Sequence, residues 1–171
     1  MKTKLSSQRG IAAAALLVIL ALGGLAFFQG KTSPQAVLDG VYAHRDAGWE
    51  VKLDTPNQLV IGRDSAKITL HTARSGNLYL FQAGTDGKSL ELIFPNVLDS
   101  NNLVSAGDTT LPRSNWRLDA AGPAGTGGLL AVVTSSPVSE PAMKDALAKQ
   151  QIPDMGTGYG AARAIWTEIN P

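Results

Sequence analysis

Residues 10–28 read Gly-Ile-Ala-Ala-Ala-Ala-Leu-Leu-Val-Ile-Leu-Ala-Leu-Gly-Gly-Leu-Ala-Phe-Phe, nineteen positions without a charge or a strong hydrogen-bonding side chain. A core helix of a globular protein keeps one polar face, and this segment has none. As a helix rising ~1.5 Å per residue it spans roughly 28 Å, about one bilayer hydrocarbon core. Lys2, Lys4 and Arg9 precede it with no acid among them, and Lys31 follows. Cations flanking a first apolar helix stay in the cytoplasm. The expectation is a single-pass inner-membrane protein with its N-terminus in the cytoplasm and residues 31–171 in the periplasm. A cleaved signal peptide has a shorter apolar stretch, roughly 7–15 residues, and a small-x-small exit. The nearest exit here, Ala21-Leu22-Gly23, would leave Gly24-Leu25-Ala26-Phe27-Phe28 as a greasy new terminus. An uncleaved signal-anchor is therefore expected. With no cysteine in the chain, lipoprotein acylation is excluded.

The expected division is a basic tail over 1–9, the anchor over 10–28, a linker with a short helix over 29–48 and a β-rich domain over 49–171. Three of the 15 basic residues precede the anchor, so residues 31–171 carry 12 against all 14 acids, a net charge of about −2. A nucleic-acid partner needs a concentrated basic face, and this composition provides none. The absence of Cys also removes disulfides, thiol nucleophiles and thiolate metal sites. An exported domain of this kind must be held by its core.

Ser33-Pro34 reads as a helix start, with Ser as N-cap and Pro in the first turn. Val37, Leu38, Val41 and Tyr42 then form a stripe at helical spacing, ending near Ala47-Gly48. Strand-like segments follow. Trp49, Val51 and Leu53 alternate with charged residues; Leu59 to Ile61 form a second segment; Ile68 and Leu70 belong to a third. Leu78 to Phe81 and Leu129 to Val133 are apolar on both faces, as central strands are. Gly84-Thr85-Asp86-Gly87 is a hairpin signal, leading to Leu90, Leu92 and Phe94, where Pro95 stops the ladder. A loop from Asn96 to Asn102 is followed by short extended pieces at Leu103-Val104, Ala106-Gly107 and Thr109 to Leu111. Trp116 and Leu118 alternate with Arg117 and Asp119. Gly122 to Gly128 holds four Gly and one Pro and reads as a turn or exposed loop. Ser139 caps a helix to about Gln151, with Met143, Ala146 and Leu147 inward. Ile165, Thr167 and Ile169 close a last strand. The fold class is mainly β with two short helices, a β-sandwich or partly open barrel, with the helices on its ends or edges.

The order Gly76-Asn77-Leu78-Tyr79-Leu80-Phe81, Asp86-Gly87, Leu92-Ile93-Phe94-Pro95-Asn96, Ala106-Gly107, Leu111-Pro112, Gly122-Pro123-Ala124-Gly125 and Leu129 to Val133 resembles a bacterial domain of unknown function. That domain occurs behind some Ser/Thr protein kinase and caspase-like domains and in chains encoded near type VI secretion systems. The similarity covers roughly residues 50–137, and Phe-Pro-Asn after an Asp-Gly hairpin is its most specific element. The resemblance implies a small β-rich sensor or partner-binding module, accessory to an envelope kinase or a secretion apparatus, and carries no catalytic residues. This chain has no kinase or peptidase domain beside it.

No motif supplies chemistry. His71 falls on the polar face of a strand pattern, and His44 sits near a helix end, where a cation suits the dipole. No Gly-x-Ser-x-Gly elbow is present. Gly156-Thr157-Gly158-Tyr159-Gly160 lacks the strand before it and the helix after it that a dinucleotide loop needs. Asp99-Ser100-Asn101 begins like a calcium loop but lacks its sixth-position Gly and twelfth-position Glu; Asp99 and Asp108 are the weak calcium candidates. Glu140 and Asp145 read as surface carboxylates. No metal and no cofactor is expected. Trp49 and Trp116 are assigned to the inward face, and Trp166 is the best candidate for an exposed contact. The partner-contact candidates are Trp166, Tyr159, Phe94 and Asn96. Ala12 to Ala15 and Gly23-Gly24 allow two anchors to approach closely, and so a homodimer. The expected function is a membrane-anchored, non-enzymatic interaction or sensor module with envelope proteins as partners. The alternatives are a cell-envelope hydrolase, which needs His44 or His71 beside a carboxylate in a cleft, and a carbohydrate-binding module, which needs aromatic rings on an exposed face.

Overall fold

The computed structural model of the protein describes residues 32–171. The anchor expected over 10–28 lies outside the described residues. Among those described, no helix is long and apolar enough to cross a membrane.

The chain begins with helix α1 (Pro34–Ala43), whose N-cap Ser33 accepts from Ala36 N–H and whose first residue is Pro. Its inward stripe centres on Leu38, which is fully buried. The helix stops at Ala43, short of the expected Ala47-Gly48, where His44 N–H turns back to Val41 O. Seven strands follow in order: β1 (Val51–Asp54), β2 (Gln58–Val60), β3 (Ile68–Thr72), β4 (Gly76–Ala83), β5 (Leu90–Phe94), β6 (Leu103–Val104) and β7 (Gly107–Leu111). Then come the long β8 (Gly125–Thr134), helix α2 (Glu140–Ala148) with Ser139 as its N-cap, and β9 (Gly160–Ile169).

Two open sheets form, and among the described residues no barrel closes. The small one has the order β1-β3-β7, all antiparallel. The large one has the order β2-β9-β8-β4-β5, with β6 attached to the start of β4. Its outer pair, β2 and β9, runs parallel. Ile68, Leu70 and Leu111 of the small sheet meet Leu78, Leu80, Leu129, Ala131 and Val133 of the large sheet in one apolar cluster. On the other face of the large sheet, Tyr79, Phe81, Leu130 and Val132 meet Leu38 of α1 and Met143 of α2. The layers are thus sheet, sheet, helices. The helices cover a face of the large sheet, not the ends or edges expected. The cause is visible in β4 and β8: strands that are apolar on both sides need a cover on both.

Three further expectations are corrected. Residues 125–128 are not an exposed loop; they open β8 and pair with β9. Glycine is required there for closeness. A Cβ on Gly125 would sit 2.6 Å from the Thr85 carbonyl oxygen, and one on Gly128 would meet the Gln35 side chain. Trp116-Arg117-Leu118 is not a strand; beside it, Ser65 and Asp119 form only an isolated bridge. Its alternation records one-sided burial over the core edge, with Trp116 stacked on Phe94 at 6.3 Å between centroids. In β9 the inward face is Trp166 and Glu168, while Ile165 is half exposed.

Gly125→Ala should lower stability by about 1–3 kcal/mol through this backbone overlap. Gly40→Ala, in α1 with open space around its Cβ position, should raise it by about 0.5–1 kcal/mol. Urea unfolding of the two variants checks both signs; equal behaviour would refute the distinction between them.

Candidate functional site

At the end of β5, Pro95 has no N–H to continue the ladder. The chain turns, and Asn96 fixes how. Its Oδ1 accepts from Leu98 N–H at 2.9 Å and Asp99 N–H at 3.0 Å, and its Nδ2 donates to Ile93 O at 2.9 Å. The Asn96 and Asp99 backbones also pair with each other, at 3.1 and 3.2 Å. Asp99 is the second fixing point. It is 8% exposed and accepts from Arg113 Nη1 at 2.6 Å and Trp116 Nε1 at 3.2 Å. Arg113 also reaches Asn101 O and lies over the Phe94 ring, while Asn115 donates to Leu98 O. At the far end Asn102 exchanges hydrogen bonds with Leu78. The loop from Pro95 to Asn102 is thus tied down at nearly every second position.

Between these ties the loop holds apolar side chains out in water. Val97 is 99% exposed, Leu98 61%, and Leu103 just beyond the loop 66%. Among the described residues Ile165 is the only other large hydrophobic side chain in this state. Exposed apolar side chains scattered singly need no explanation, but Val97 also lines a hollow. Beside Val97 the surface opens into a hollow of about 460 Å³, floored by Tyr79, Leu92 and Met143 and walled by Pro95, Pro137 and Val138. Asn96, Ser100, Asn102 and Glu140 give it a polar rim. The hollow exists because the helical layer is short. Helix α1 lies over β8, β4 and β9, and α2 buries only Met143. Tyr79 Oη accepts from Val138 N–H at 2.8 Å and seats the turn before α2. An apolar hollow with a polar rim has the anatomy that protein interfaces share.

Of the four residues expected to meet a partner, Asn96 is in this corner, as its organiser. Phe94 is fully buried beneath it and supports the surface instead of contacting anything outside. Trp166 is 3% exposed, with Nε1 donating to Glu168 at 3.2 Å; the strand parity that turns Ile165 outward turns Trp166 in. Tyr159 belongs to a different hollow, of about 500 Å³, between the end of α1 and residues 153–159. There its hydroxyl donates to Val41 O at 2.7 Å. Burial, with the Asp154 carboxylate second, raises its phenol above the ordinary tyrosine range. Val97, Leu98 and Leu103 are exposed apolar residues that the sequence does not single out. Their only signal is an apolar pair, and a third residue shortly after, inside a run otherwise made of Asn, Asp and Ser.

The other candidates have local partners. His44 Nδ1 meets Gly40 O at 2.7 Å, so that nitrogen carries the proton and donates. His71 Nδ1 lies 2.7 Å from Asp108 Oδ1 on the solvent-facing side of the small sheet. Asp99 and Asp108, the calcium candidates, are engaged by Arg113 and His71. A third hollow, of about 400 Å³, is lined by Asp86, Glu91, Asp119 and Glu168 among others. The backbone N–H groups of Lys88 and Ser89 hold the Asp86 carboxyl below its usual range, and Ser65 with Arg117 does the same for Asp119. Glu168 accepts from Gly122 N–H and Trp166 Nε1.

Residues 58–137 match a family model described as a domain of unknown function (DUF4384). No curated protein matches the chain. The matched stretch runs from β2 to the turn before α2, so it contains the Phe94-Pro95-Asn96 corner with Val97, Leu98 and Leu103; α1, α2 and β9 lie beyond it.

Asn96→Ala should speed amide hydrogen exchange at Leu98 and Asp99 by at least tenfold, since each lost bond is worth about 1 kcal/mol and they are lost together. The amides of β8 and β9 should keep their protection. Exchange read by NMR on both proteins checks this; unchanged protection at Leu98 would refute the role given to Asn96.

Proposed function

We propose that this protein is a non-enzymatic interaction or sensor module held at the outer face of the inner membrane by residues 10–28. The observation that carries the contact role is the corner itself: Val97, fully exposed on a loop fixed by Asn96 and Asp99, lines an apolar hollow. Rigid presentation lowers the entropy cost of association, which is what a contact loop gains from so many internal bonds. The address rests on the apolar run and the cations before it. The assembly it serves, an envelope kinase or a secretion apparatus, is suggested by the resemblance alone.

The hydrolase reading has one observation in its favour, the His71–Asp108 pair. The pair lies on an open sheet face, with the His71 side chain 44% and the Asp108 side chain 72% exposed. Among the described residues neither His ring hydrogen-bonds a Ser or Thr hydroxyl. A reactive site needs water excluded and a positioned nucleophile. Against the carbohydrate reading, the Trp49, Trp166, Tyr79 and Tyr159 rings are buried, and only Trp116 and Tyr42 are half-buried.

Two measurements test the proposal. A C-terminal alkaline phosphatase fusion should be active and the matching GFP fusion dark; the reverse would place the domain inside. Purified full-length protein incubated with peptidoglycan should release neither reducing ends nor free amines. A release abolished by His71→Gln would overturn the non-enzymatic reading.

A further inference from the structure

We propose that α2 is a hinged lid: it leaves the large sheet while both sheets stay folded, and so uncovers the apolar floor at Tyr79 and Leu92. This motion stands whether or not the loop from Pro95 to Asn102 meets a partner.

The two helices are built alike and held differently. Each has a Ser N-cap and a Pro in its first turn. Helix α1 is tied to β9 and the segment before it. Tyr159 Oη donates to Val41 O at 2.7 Å, Asp46 N–H donates to Tyr159 O at 2.9 Å, and Arg163 bridges Asp39. Helix α2 keeps its polar groups to itself. Lys144 bridges Glu140 at 2.6 Å and Lys149 bridges Asp145 at 2.7 Å, each pair one turn apart on the helix surface. Among the described residues no hydrogen bond or ion pair joins residues 140–149 to another element. The helix itself buries only Met143.

Two single hydrogen bonds pin this segment, one beyond either end. Before the helix, Val138 N–H donates to Tyr79 Oη at 2.8 Å. After it, Gln150 Oε1 accepts from Leu90 N–H, the first amide of β5, at 2.8 Å. The second tie is made by a strained residue. Gln150 follows the C-cap Lys149 with φ 56°, and among the described residues it is the only non-glycine residue at positive φ. Glycine is favoured at this place, because a Cβ is penalised in the left-handed region. The turn closes through backbone alone, with Gln150 N–H on Leu147 O and Gln151 N–H on Ala146 O, both at 2.9 Å. What glutamine adds is the reach to Leu90. It acts as a latch, whose side-chain bond offsets its own backbone strain.

Release of the latch changes the hollow beside Val97. Pro137, Val138, Glu140 and Met143 enclose it on the α2 side. With α2 away, Tyr79 and Leu92 remain on the sheet as an open apolar shelf. A segment with few buried contacts and no share in a strand ladder opens before the core does. A helix of nine residues is marginal alone, so the released segment unwinds and Gln150 regains a relaxed backbone.

Amide exchange read by NMR on the full-length protein in detergent micelles tests the lid. Protection at Lys144 to Ala148 should lie about tenfold or more below that of α1 and of Leu129 to Val133. It should be equal along the helix and fall with low urea, because surface is exposed when the whole helix leaves. Gln150→Ala loses the Leu90 bond and keeps the strain, so protection across α2 should drop roughly fivefold. Gln150→Gly loses the same bond but sheds the strain, so α2 should stay near the parent, while Leu90 N–H loses protection in both variants. Unchanged protection at Leu129 to Val133 shows that the sheets remain folded. Protection in α2 equal to that in α1 would overturn the lid. So would graded protection without a urea response, which is fraying of the helix ends. Equal behaviour of α2 in the two variants would overturn the latch, and loss of β8 protection in either would show that Gln150 holds the whole domain and no separate lid exists.

Discussion

Two strands buried on both faces govern this structure. Strands β4 and β8 lie side by side in the large sheet, and nearly every residue of their shared length is buried. Apolar side chains facing both ways leave water only if both faces are covered, at roughly 25 cal/mol for each Å² removed from solvent. The small sheet supplies one cover through Ile68, Leu70 and Leu111, and the helices supply the other through Leu38 and Met143. The rest of the layout follows from that requirement. So does its imperfection. Helices of ten and nine residues are too short to roof a sheet of this width, and the uncovered corner is the surface to which the proposed function is assigned.

At that corner, polar chemistry holds apolar side chains in an unfavourable place. Asn96 and Asp99 fix the loop from within, and Arg113 and Trp116 reach Asp99 from the segment after β7. The buried Asp99 carboxylate is tolerated because it is paired and hydrogen-bonded. Phe94, stacked under Trp116 and Arg113, joins the loop to the core. These ties fix the loop in the conformation that leaves Val97 and Leu98 exposed. Their exposure is a property the loop maintains.

Much of the fold is legible from local rules. Ser33 and Ser139 each precede a helix with Pro in its first turn, and each caps as its oxygen allows. Asp86-Gly87 makes the tight turn between β4 and β5, with Asp86 accepting the Lys88 and Ser89 amides. The two-sided apolar runs at 78–81 and 129–133 name the central strands. What stays hidden depends on partners distant in the chain. Gly125 to Gly128 looks like a loop until Thr85 and Gln35 are brought against it; glycine then signifies close approach. Trp166 and Ile165 could each have faced the core, and only the register with β8 decides. The corner is half legible. Phe-Pro-Asn marks it, but Phe94 is buried by Trp116 and the cluster between the two sheets, which no neighbouring residue encodes.

Strand β9 sits between β2 and β8, so Gln58 finds its ladder partner only at Thr167. A chain emerging residue by residue from a ribosome or a membrane pore therefore holds β2 unpaired until those late residues arrive. Contacts so distant in sequence form slowly. In such a chain the β2 edge of the large sheet is the part that closes last, once β9 has been delivered.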